Sequence, residues 1–71
     1  MNGIRLIYIY RGYVVINDQP RHVRFDSFVR ELSNDIIYDC VDTESKDVYH
    51  IKGAEIIGAH IFSTRILERS A

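Results

Sequence analysis

The sequence predicts a small α+β domain, a β-meander followed by one central helix and a second β-meander, with a small SH3-like barrel as the alternative. Three observations predict it. The apolar residues are mainly β-branched or aromatic, with eleven Ile, six Val, five Tyr and three Phe against three Leu and three Ala. Such side chains lose less rotamer freedom on a pleated surface than in a helix. Residues 4–10 and 21–25 alternate with a period of two, as half-buried strands do. Between the two strand-rich halves, Phe28, Val29 and Leu32 share one helical stripe behind Asp26 and Ser27, either of which can cap a helix.

Seventy-one residues hold one core and no more, so 1–71 is a single domain. In the first strand Ile4, Leu6, Tyr8 and Tyr10 alternate with Arg5, Ile7, Ile9 and Arg11, and Gly12 permits a turn or bulge. Tyr13 to Ile16 forms a second apolar run, closed by the turn residues Asn17-Asp18-Gln19-Pro20. A third strand over 21–25 sends Val23 and Phe25 to the core. The helix is expected over 26–34. Its stripe continues to Ile36 and Cys40, but Ser33-Asn34-Asp35 is poor helix interior, and Ile36-Ile37-Tyr38 favours a strand over 36–41. The polar connection 42–47 then leads to a strand over 48–51, a turn at 52–55 and a last strand over 56–62, where Gly58-Ala59 leaves room for a bulge or close approach. Ser63 or Thr64 can cap a closing helical turn carrying Ile66 and Leu67.

Hydrophobic residues make up 46% of the chain and charged residues 27%, a globular rather than a disordered balance. The net charge is only −1, yet it is divided unevenly. Residues 1–30 hold Arg5, Arg11, Arg21, Arg24 and Arg30 against Asp18 and Asp26, a net of +3. From 31 to 47, Glu31, Asp35, Asp39, Asp42, Glu44 and Asp47 stand against Lys46 alone, a net of −5. The acidic set is a candidate partner-binding surface that steers association electrostatically. The arginines Arg5, Arg11, Arg21 and Arg24 are candidate nucleic-acid contacts, because they interleave with Tyr8, Tyr10, Tyr13 and Phe25. Ile7, Ile9, Val14, Ile37 and Ile57 fall on the second side of their strands and are candidates for an apolar interface, which makes a homodimer or larger ring the expected state.

No motif for catalysis or for a cofactor emerges. Cys40 with His50 or His60 is the one conceivable nucleophile and base, but a cysteine inside an apolar strand usually packs as a small hydrophobe. The histidines, Cys40 and Asp39 lack the close paired spacing of a structural zinc site, so no metal is expected. With one cysteine, no leader and no apolar stretch near the roughly 20 residues that span a bilayer, a cytoplasmic protein without membrane contact is expected.

The segment Ile51-Lys52-Gly53-Ala54-Glu55-Ile56-Ile57-Gly58-Ala59-His60-Ile61 resembles the second signature of Sm-type RNA-binding proteins. There, an aliphatic, a basic residue and a glycine precede two further aliphatics across a turn. The resemblance spans eleven of the seventy-one residues and implies an SH3-like turn, with Lys52 and Gly53 at an RNA-contacting loop and Ile56 to Ile61 at a ring-forming edge. The expected function is a non-catalytic protein-interaction module, a regulator or inhibitor of a larger macromolecule of the kind carried by phages or mobile elements. A small RNA- or DNA-binding module with an arginine and tyrosine face is the alternative.

Overall fold

The computed structural model describes residues 3–69. It is an antiparallel five-stranded sheet formed by β1 (Gly3–Ile16), β2 (Gln19–Ser27), β3 (Ile37–Asp42), β4 (Val48–Lys52) and β5 (Ile57–Arg69), in the order β4-β3-β2-β1-β5. A 3-10 turn, Gly53–Glu55, joins β4 to β5. The fold is therefore all-β, not α+β. No strand ladder among the described residues joins β4 to β5, so the sheet is not closed into the alternative barrel.

Alternation builds the core. Tyr10 and Val14 of β1, Val23 and Phe25 of β2, and Tyr38 and Cys40 of β3 point to one side of the sheet, where they cluster with Ile56, Leu32 and Ile51. Phe25 lies parallel to Tyr10 at 5.1 Å and tilted against Tyr38 at 5.1 Å. Burial of each such side chain contributes about 1.5–3 kcal/mol.

Of the segment expected to be a helix, 26–34, the first two residues end β2 and 28–34 form an irregular strap across this cluster. Its polar groups are taken up without helical bonds. The Ser27 hydroxyl accepts the Val29 N–H at 3.1 Å, fixing a local turn. The Tyr10 hydroxyl donates to the Arg30 carbonyl, and the Ser33 N–H donates to the Tyr38 hydroxyl at 3.0 Å. Burial is the largest of the causes that push the Tyr10 phenol up, which keeps it a donor. Further along, the Gly53 and Ala54 amides of the 3-10 turn donate to Ile36 and Asn34. Of the predicted stripe only Leu32 packs on the core, while Phe28 and Val29 stay exposed.

The two N-terminal strands merge into one. β1 runs unbroken through Gly12, which sits at a register shift against β5 rather than at a turn. A Cβ there would approach Ile56 Cγ2 at 2.9 Å and Ala59 Cα at 3.2 Å, so only glycine admits the neighbouring strand. The partner half of this irregularity is Gly58, with φ +64°. Asn17 and Asp18, both at positive φ, form the two-residue turn between β1 and β2. The closing helical turn at 63–67 is also replaced by strand. β2 ends opposite Tyr8, and the first residues of β1 pair instead with 64–69, for example Leu6 with Ile66.

Candidate binding surface

Strand alternation sorts the candidate residues by face. Opposite the core, an outer face carries Arg11 of β1 directly across from Arg24 of β2 on one side and His60 of β5 on the other. Two like charges in register repel, and each arginine has its own relief. The Arg11 guanidinium lies 3.5 Å from the centre of the Phe62 ring, and Arg24 sits 3.5 Å from Asp26. Phe62, two residues on from His60, falls on this face by alternation, and the register shift between Ile9 and Tyr10 sets the next residue, Ser63, opposite Ile9. Arg5, on the same face, lies over the Phe28 ring at 4.3 Å. Arg21 does not join them. It lies on the core side, opposite Val14, with its guanidinium 3.8 Å from Asp42.

The six acidic candidates do not form one patch. Glu31 and Asp35 lie in the strap before β3, Glu44 and Asp47 in the turn after it, so they are exposed at the two ends of that strand. Asp39 pairs with His50 at 2.7 Å on the outer face. Asp42 is 2% exposed and is structural. It accepts the Glu44 N–H at 2.8 Å and the Ser45 N–H at 3.2 Å, holding the β3–β4 turn. Those two bonds, helped by Arg21 and opposed by desolvation, hold its carboxyl below the ordinary 3.8. A carboxyl depressed in the folded state stabilises the protein above the unfolded value, and the stabilisation is lost as pH falls below 3.8 through the depressed folded value. The thermal midpoint is therefore expected to drop on acidification through this window. Asp42→Asn should be less stable at neutral pH and show a flatter acid limb by calorimetry.

The apolar candidates also divide. Val14 is 1% exposed and belongs to the core, because the even residues of β1 face inward from Tyr8 to Val14, and Ile7 is buried as well. Ile37 and Ile57 are exposed on the outer face and Ile9 is half-buried there. Sequence reasoning missed Val15, Val48 and Phe62, which are exposed around them, and named Tyr13 only as an aromatic neighbour of the arginines. Their odd or cross-strand positions would have shown this once β1 was seen as one strand and His60 was placed opposite Arg11. Between β1 and β3 the face hollows into an open groove of about 880 Å³, lined by Arg11, Arg24, Asp26, Ile37, Asp39 and Val41.

Cys40 is fully buried, and burial followed by the nearby Asp39 pushes its thiol up to about 11. His50 pairs in register with Asp39, so it faces away from Cys40. Among the described residues no cluster of three His, Cys, Asp or Glu side chains is placed to hold a metal, and no helix is long and apolar enough to cross a membrane. Gly53, expected at an open RNA-contacting loop, is buried against the backbone of Ser33. Compared with protein-family models, characterised proteins and solved structures, the chain matches none.

Proposed function

We propose that this protein is a non-catalytic interaction module, a small regulator or inhibitor that docks a protein partner on the outer face of its sheet. The supporting observation is the makeup of that face: exposed Tyr13, Ile37, Ile57 and Phe62 surround Arg11 and Arg24 beside the groove. Aromatic, aliphatic and arginine side chains together are what the desolvated centre of a protein interface uses. Glu44 and Asp47 are exposed neighbours of Thr43 and Lys46, which line the groove, and so stand at its rim, where charge sets the rate of encounter more than affinity, whereas Glu31 and Asp35 lie on the strap.

The test is affinity capture from the native host with the wild-type chain and with the double variant Ile37→Glu/Ile57→Glu. Both positions are exposed, so the variant should fold. The expected result is a specific protein retained by the wild type and lost by the variant; equal retention by both removes this reading.

One observation favours the nucleic-acid alternative. Arg5, Arg11 and Arg24 share the outer face, two of them stacked on Phe28 and Phe62. Asp26 and Asp39 interrupt the same face. A titration with single-stranded RNA and duplex DNA at two salt concentrations separates the readings, since phosphate contacts weaken steeply with salt. No binding at low salt ends the alternative.

A further inference from the structure

We infer that two copies of this chain pair through their β5 edges, with the two-fold axis at Ile66. This surface is distinct from the outer face of the proposed function. β2 stops opposite Tyr8, so among the described residues 3–7 of β1 find a strand partner only in the end of β5 and form a two-stranded arm beyond the end of β2. Two-stranded ribbons are marginal in water without further cover. The core-side face continues along this arm as Leu6, Ile66 and Ile4, which are 45%, 62% and 70% exposed.

The far side of β5 is an open edge. It is thirteen residues long, and its irregularities lie before Ser63. From Ser63 to Leu67 it has no proline or bulge, and Arg65 is its one charge, so the usual protections of an edge strand are nearly missing there. The opposite edge, β4, is five residues long and carries His50 and Lys52.

A second copy is the occupant that this edge suits. In a regular antiparallel pair, facing residues share a side of the sheet. An axis at Ile66 sets Ile66 against its own counterpart and Arg65 against Leu67, whereas an axis at Arg65 would oppose like charges. Since Ile66 already pairs with Leu6, an unbroken row of Leu6, Ile66, Ile66 and Leu6 crosses the seam.

Light scattering at micromolar concentration should give about twice 8.3 kDa for the wild type. Ile66→Glu should give the monomer mass with an unchanged circular dichroism spectrum. Ile66→Cys should cross-link to itself under mild oxidation, since facing residues of paired strands lie within disulfide reach, and the buried Cys40 does not compete. A monomeric wild type, a dimer that survives Ile66→Glu, or absence of the cross-link in a dimeric Ile66→Cys protein each overturns the inference.

Discussion

Replacing Gly53 with alanine is expected to abolish the cooperative thermal transition or to lower it drastically. Gly53 opens the 3-10 turn after β4, and its amide donates to the Ile36 carbonyl at 2.9 Å. A Cβ at this position would run into the carbonyl of Ser33, with the Tyr38 ring 3.1 Å away on another side. The first obstacle is backbone, so no rotamer change relieves it. The strap would have to lift, breaking the Gly53 and Ala54 bonds and the contact of the Ser33 N–H with the Tyr38 hydroxyl. Overpacking of this kind costs about 3 kcal/mol or more, against a total stability of about 4–10 kcal/mol for a chain of this length. Gly3→Ala is the control, since a Cβ there meets nothing, and it should stay within about 0.5 kcal/mol of wild type. Urea denaturation of the two variants side by side checks the contrast; a Gly53→Ala protein as stable as Gly3→Ala would show that the strap is not held as described.

The strands were legible because they depend on local pattern. Alternation located β2 and the runs that became β1, and the polar stretch 42–47 marked the turn between β3 and β4. What failed was whatever depends on a distant residue. The stripe of Phe28, Val29 and Leu32 satisfies helical spacing, but the backbone there is claimed by the hydroxyl of Tyr10, which lies in another strand far away in sequence, and by that of Tyr38, whose direction is set by β3. Residues 63–67 offered a cap and two aliphatics, yet the unpaired start of β1 draws them into a ladder. The candidate surface shows the same division. Composition singled out the arginines and acids, but only the register separates Arg21 from Arg11 and Arg24, and turns Asp42 from a surface charge into the anchor of its own turn.

The second large effect is expected at Phe25→Ala. The ring is 2% exposed and sits between Tyr10, stacked within 6° of parallel, and Tyr38, tilted by 48°. Removing a buried phenylalanine costs about 3–5 kcal/mol through lost transfer energy and the cavity left behind. Here the cavity opens between the two tyrosines whose hydroxyls hold the strap, so the damage should spread to a segment that Phe25 itself need not touch. The Ser33 amide should lose hydrogen-exchange protection in Phe25→Ala beyond what the drop in global stability accounts for. Tyr38→Phe separates the two effects. It keeps the ring and removes only the oxygen that accepts the Ser33 N–H, so it should cost about 1 kcal/mol and expose the same amide. If Phe25→Ala lowers stability by the expected amount while Ser33 protection falls only in proportion, the aromatic stack supports the sheet alone, and the strap is held by Leu32 and the 3-10 turn.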